Sequence, residues 1–200
     1  MKNNLKVLAL LVIIFNIACA KTANTKEEDN HHTPISSLGK RLHVIPQGSH
    51  YCDGNIYTSI NLSNLNFKVK FDSSAIYQTA SPSNQVDINK LYGFSDNNNL
   101  HHNYSARFGW RWRNNELQIF TYIYNAGIVS YQRIGTAQIG VEETYSIEVA
   151  NNSYIFSFQE QTTIMPREST TTTAIGYKLY PYFGGNETAP HNIKIWIEEF

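Results

Sequence analysis

Charge is what this chain has least of. Asp, Glu, Lys and Arg make up only 16% of its 200 residues, and the acidic and basic groups cancel at 16 each. No basic tract stands out, so the electrostatic footprint of a nucleic-acid binder is missing and no nucleic-acid partner is expected. Hydrophobic residues reach 42%, which excludes disorder for most of the length. Cysteine is nearly absent: there are two, Cys19 and Cys52. Cys19 belongs to the amino-terminal signal described below, which leaves Cys52 unpaired. The fold must therefore stand on its core without a disulfide. Cys52 itself is expected as a small buried hydrophobe, not a reactive thiol. Nucleophile chemistry lacks its usual mark, since no Gly-x-Ser-x-Gly occurs. No stretch within the domain carries a helical apolar stripe.

The one long apolar run is at the start. Lys2 and Lys6 precede and punctuate it, Leu5 to Phe15 is almost wholly apolar, and Asn16-Ile17-Ala18-Cys19-Ala20 ends it. This reads as a secretory signal, too short for a stable membrane span. Two endings are open. Ala18-Cys19 resembles a bacterial lipobox, which makes residues 1–18 a lipoprotein signal peptide and Cys19 the lipidation site. Ala18-Cys19-Ala20 also fits small-x-small cleavage, which leaves a secreted or periplasmic protein. A cysteine at the edge of a signal core favours the lipid anchor, and hence the outer membrane or cell surface. Residues 19–38 have no periodicity and are expected as a flexible tether. Within them Lys26-Glu27-Glu28-Asp29 is either an acidic surface-export signal or a plain linker.

What is abundant is aromatic and β-branched: 13 tyrosines and 10 phenylalanines, with many Thr and Asn. From about Arg41 the period is two. Leu65, Phe67, Val69 and Phe71 alternate with polar residues, and Ile193, Ile195 and Ile197 do the same near the end. Asn114-Asn115 and Asn151-Asn152 suit two-residue type I′ turns, because asparagine tolerates positive φ. Many short strands without helices predict an all-β fold over 39–200: an antiparallel two-sheet β-sandwich of jelly-roll type, expected as a monomer.

The hairpin registers sort faces. A turn at Asn151-Asn152 pairs Tyr145 with Phe158, Ile147 with Phe156 and Val149 with Tyr154, all core. A turn at Asn114-Asn115 puts Phe108, Trp110 and Trp112 on one face. The other face receives Arg107, Arg111, Phe120, Tyr122 and Tyr124, too aromatic for plain surface. Either a second sheet covers it or it binds something. Flat rings stack on sugar C–H faces while Arg and Asn bond hydroxyls, so these five residues, with His191 and Trp196, are the candidate ligand-binding set for a polysaccharide or oligosaccharide.

Thr79 to Asn103 shows no clear strand and is expected as a long loop. Its Asp87, Asn89 and Asp96 are oxygen donors of the kind calcium prefers, the one cofactor considered, although EF-hand spacing is absent. A zinc site would need His101, His102 and His191 to converge, and adjacent histidines on extended chain point apart. Gly184-Gly185 is followed by strand, not helix, so a phosphate loop is excluded and a tight corner expected, with Glu187 or His191 as the residue that would contact a ligand there. Glu116, Glu148 and Glu187 have no spacing that pairs them for glycoside hydrolysis. No catalytic residue is assigned.

The stretch "YSIEVANNSYIFSF" resembles concanavalin A-like and laminin-G-like sandwich domains. "FDSSAIY", "DINKLYGFSD", "HHNYSARFGWRWRNNELQIFTYIYNAG" and "KLYPYFGGNETAPHNIKI" together resemble uncharacterised lipoproteins and secreted proteins of polysaccharide-degrading bacteria. The resemblance implies a sandwich superfamily that includes lectins, glucanases and alginate-type lyases. The glucanase Glu-x-Asp-x-x-Glu is absent, as are the lyase Arg-x-Glu-x-Arg and Tyr-Phe-Lys-x-Gly-x-Tyr, which "YPYFGG" only faintly echoes. The expected function is thus non-catalytic glycan binding at the cell envelope. The alternatives are a lyase or hydrolase of the same superfamily, or a structural envelope protein.

Overall fold

A computed structural model describes residues 39–150 and 152–200. The signal peptide, Cys19 and the rest of the tether lie outside these residues, as does Asn151.

Two six-stranded antiparallel sheets pack face to face. The first is built from β1 (Arg41–Ile45), β12 (Ile193–Glu199), β3 (Asn64–Phe71), β8 (Glu142–Ala150), β9 (Ser153–Phe158) and β10 (Gln161–Pro166), in that spatial order. The second runs β2 (Ser59–Leu62), β11 (Ala174–Leu179), β4 (Asn89–Ser95), β5 (Ser105–Arg113), β6 (Glu116–Asn125) and β7 (Ile128–Ala137). Two short 3-10 turns, Ser73–Ala75 and Pro82–Val86, sit between β3 and β4.

The alternating strands place their apolar residues between the sheets. Leu65, Phe67, Val69 and Phe71 are all buried. Across the gap Phe108 meets Tyr145 at 5.1 Å and Phe156 at 5.2 Å, both edge-to-face. Such pairs add to simple area burial, and they lock the two sheets in one relative placement. The predicted hairpin registers hold: Tyr145 opposes Phe158, and Gly109 opposes Phe120. Asn114 and Asn115 have φ of 55° and 58°, the type I′ geometry; Asn152 has φ of 59°. Cys52 is buried against His43, and burial pushes its thiol up to about 12, so it behaves as a core group and not a nucleophile.

The expected long loop over Thr79 to Asn103 contains a strand. β4 pairs with both β5 and β11 at the centre of the second sheet. Every residue of "NKLYGFS" but Lys90 is buried. One face meets the core. Beside β4 in the sheet, the segment around Tyr182 continues the β11 pairing as a bridge to Lys90, with hydrogen bonds from Lys90 N to Tyr182 O (2.8 Å) and back (2.9 Å). A strand covered on both sides has no alternation to read.

A buried polar network joins the sheets. Asp96, at the end of β4, accepts from Arg167 Nε (2.7 Å) and Nη2 (3.1 Å) and from the Tyr154 hydroxyl of the opposite sheet (2.7 Å). Its side chain is fully buried and that of Arg167 is 2% exposed.

The Gly184-Gly185 stretch is a corner, as its sequence suggests. Gly185 has φ of +80°, and a Cβ there would fall on the Asp87 carboxylate. Glu187 fastens the corner by accepting from the backbone N–H groups of Ala80 (2.7 Å) and Ser81 (2.8 Å).

Candidate functional site

The outer face of the second sheet carries a cleft of about 540 Å³. Its base is formed by the residues of β4, β5 and β6 that point away from the core. Arg107 opposes Tyr122 across the β5–β6 pair and Gly93 across the β4–β5 pair. Gly93 is required there, because a Cβ would land on the Ala106 carbonyl and the Arg107 side chain. The register shift in β4 between Lys90 and Gly93 sets Lys90 on the same outer face. Its ammonium lies 4.2 Å from the centre of the Tyr122 ring and donates to the Ile88 carbonyl. Tyr182 and Gly184 come over from the corner segment, and Tyr177 from β11.

Two properties define this cleft chemically. It is tyrosine-rich, with seven tyrosines in its lining. It is also cationic: Lys90, Arg107 and Lys178 line it, and no Asp or Glu does. Lys178 is already paired, with Glu199. Arg107 is not. It is 6% exposed, no described group accepts a hydrogen bond from its guanidinium, and its buried Nε stands without any partner. Its neighbours are π faces, with Tyr122 at 5.5 Å. Buried arginines are ordinarily held by carboxylates, and an unpaired one costs several kcal/mol.

Electrostatics follow from this crowding. Burial first, then the Arg107 charge, lower the Lys90 amine to about 7, with Asp87 opposing. Burial, then Arg107 and His102, bring His101 down to about 4, so it is neutral at pH 7 and its Nδ1 bonds the Tyr177 hydroxyl at 2.9 Å. Burial lowers Arg107 to about 10, which leaves it fully charged in the working range. Burial also raises Tyr122 well above the ordinary phenol value.

The residues singled out by sequence distribute as follows. Arg107, Tyr122 and Tyr124 line the cleft. Phe120 and Arg111 are beside it on the same face, the guanidinium 4.7 Å over the Phe120 ring and bonded to Gln118 and the Val86 carbonyl. Trp196 is elsewhere: it is on β12 in the other sheet, paired with Leu42 and Lys70. His191 is elsewhere too, its Nε2 on the Ser74 carbonyl. Asp87, Asn89 and Asp96 do not converge. Asn89 and Asp96 flank the length of β4, Asn89 Oδ1 accepts from Gly184 N, and Asp96 is committed to Arg167. No group of three or more metal-ligating His, Cys, Asp or Glu side chains gathers among the described residues. His101 and His102 depart from the extended geometry expected of them. They lie in a turn, and their rings approach to 4.2 Å at the cleft wall. Lys90 and Tyr182, central to the cleft, are not among the residues that the sequence pattern marks. The one cue is a lysine directly before the apolar run Leu91-Tyr92-Gly93-Phe94.

No family model and no curated protein matches the chain. Solved structures do. The alginate lyase AlyC3 superposes with a TM-score of 0.54 at 11% identity, over 78% of this chain and 71% of that one. Its complex with dimannuronate gives 0.53 at 12% over the same shares. A functionally unknown protein from Saccharomyces cerevisiae gives 0.50 at 8%, over 83% and 89%. At these identities the likeness is one of fold: a concanavalin A-like jelly-roll sandwich.

Proposed function

We propose that the cleft binds an acidic polysaccharide or oligosaccharide, with a sugar carboxylate seated on Arg107 and Lys90 and the sugar rings lying along the tyrosines. The observation that carries this reading is the buried, unpartnered Arg107 guanidinium in a cleft without acidic lining residues. A ligand carboxylate supplies the missing acceptor, and bidentate pairing with a guanidinium is among the stronger polar contacts available. Uronates fit the demand. One structural neighbour is an alginate lyase, solved also with dimannuronate. With the expected lipid on Cys19, the protein would hold such a glycan at the cell surface.

A second reading, cleavage by β-elimination, is favoured by one specific feature: Lys90, with its amine near 7, sits beside Arg107. Neutral Lys90 would take the proton on the carbon next to the sugar carboxylate. Arg107 would hold the negative charge that develops there. The C–O bond to the leaving sugar would then break as the C=C bond forms, and a tyrosine hydroxyl would protonate the departing oxygen. Two-carboxylate hydrolysis has no such parts among the described lining residues.

The two readings differ in pH dependence. Lys90 faces Arg107 on β5, Tyr122 on β6, Tyr182 on the corner segment and the Asp87 carboxylate. Of these, Arg107 keeps its charge, so Lys90 is the group that titrates near neutrality. Its protonated form favours an anion. Affinity for an oligouronate should therefore rise as pH falls through about 7, and level off until the ligand's own carboxylate protonates at about 4. Elimination needs the free amine and should rise in the opposite direction. Calorimetric titration of the purified protein with oligouronates and uncharged β-glucan oligosaccharides across this range, with assay for the unsaturated product, decides between them. Equal affinity for charged and uncharged sugars would remove the acidic-ligand reading.

A further inference from the structure

A second concavity, of about 610 Å³, opens at the β5–β6 turn and shares no lining residue with the cleft. Its central group is Trp112. In β5 the register that points Phe108 and Trp110 into the core continues to Trp112, but the sandwich ends there, so one part of the indole packs on the core and the rest is accessible. Ile76 and Pro82 form the apolar wall opposite.

The wall is fixed to the strand. Gln85 Nε2 donates to the Trp112 carbonyl (2.6 Å) and the Tyr77 carbonyl (3.2 Å), while Gln85 Oε1 accepts from Thr79 N (2.8 Å). The concavity is therefore built before any ligand arrives. Its rim is polar and unspent. Asn114 and Asn115 are held at positive φ by the type I′ turn, which directs their Cα–Cβ bonds, and both residues line the concavity. Neither amide, nor the Arg113 guanidinium, the Gln78 amide or the Trp112 indole N–H, has a partner among the described residues. His191 uses only Nε2, on the Ser74 carbonyl.

We propose that this is a second sugar-binding site, in which one pyranose ring stacks on the Trp112 indole and its hydroxyls bond the Asn114, Asn115 and Gln78 amides. A flat aromatic ring set among unpaired amides matches the two surfaces of a sugar, an apolar C–H face and a rim of hydroxyls. The volume falls in the ordinary range of small-ligand sites. Its recognition rests on stacking and neutral amides, so it does not depend on the reading of the cleft and need not share its preference for acidic sugars. One long glycan that touched both sites would gain avidity without any new contact.

The test follows the three tryptophan indole N–H signals by NMR while neutral β-glucan oligosaccharides, and separately oligouronates, are added to the purified protein. Trp112→Phe assigns its signal. The signal of Trp112 should shift saturably with at least one sugar. It should do so equally in an Arg107→Met variant, where the cleft is disabled. Asn114→Gly, which suits the positive-φ turn, should weaken the response about tenfold while thermal unfolding stays unchanged. A Trp112 signal unmoved by the whole panel would overturn the proposal. So would a response that vanishes in Arg107→Met, since the shift would then report the cleft alone.

Discussion

Replacing Arg107 by Met should cost the cleft at least about a hundredfold in affinity for an oligouronate and leave the protein as stable or more stable. The loss would follow from hydrogen bonds between the guanidinium and the ligand carboxylate, about 1.5–3 kcal/mol each. The gain in stability has the same origin. The guanidinium is buried among tyrosine rings with no acceptor for its Nε, and that burial holds its proton affinity down, to about 10. A folded value below the unfolded one means that the charged form is penalised by folding. The penalty is present throughout the range below about 10 and is relieved only above it. Met retains the stem volume and removes the charge, so denaturant unfolding at pH 7 should shift upward by on the order of 1–3 kcal/mol. A structural arginine would behave the other way, with stability falling on substitution. The combination of lost binding and gained stability is the signature of a group kept for a ligand.

Asp96→Ala should be the most destabilising single change outside the apolar core, by about 3–5 kcal/mol. Asp96 and Arg167 face each other fully buried, and the carboxylate also accepts from Tyr154 and from the backbone N–H groups of Asn97 (2.6 Å) and Ile175 (3.3 Å). Removing it leaves the buried Arg167 guanidinium without its counter-charge, bonded among the described residues only to Ser169, Thr171 and the Thr173 carbonyl, and leaves the buried Tyr154 phenol without its acceptor. The midpoint of thermal unfolding should drop by about 10 °C for a domain of this size. Arg167→Met should cost a similar amount. The double variant should lose much less than the sum, because neither partner is then left charged and alone. Additive losses would mean that the pair contributes nothing as a pair.

The contrast between these two arginines shows what sequence can and cannot display. Period-two alternation places Arg107 on one face with Tyr122 and Tyr124, and that face is set by the local Asn114-Asn115 turn. Arg167 and Asp96 lie 71 residues apart, and nothing local announces their pairing. The same limit applies to the cleft. Alternation gives the faces of β5 and β6 but not the neighbour of β5, which is β4, a strand hidden by burial on both sides. Lys90 and Tyr182 reach the cleft only through that non-local pairing. Trp196 illustrates the converse error. It alternates correctly with Ile195 and Ile197, yet its strand belongs to the other sheet. His191 was placed in the right corner of the chain but the corner turns it toward Ser74.

The central claim is that Arg107 is held without a partner for the carboxylate of an acidic sugar. The most direct measurement is NMR of arginine side-chain Nε–H groups, with the Arg107 signal assigned by Arg107→Lys, during titration with an oligouronate and with an uncharged oligosaccharide of equal length. The oligouronate should move the Arg107 Nε–H strongly toward the hydrogen-bonded range and at saturating stoichiometry, and the uncharged sugar should leave it in place. An Arg107 signal indifferent to the oligouronate, or moved alike by both sugars, would contradict the account.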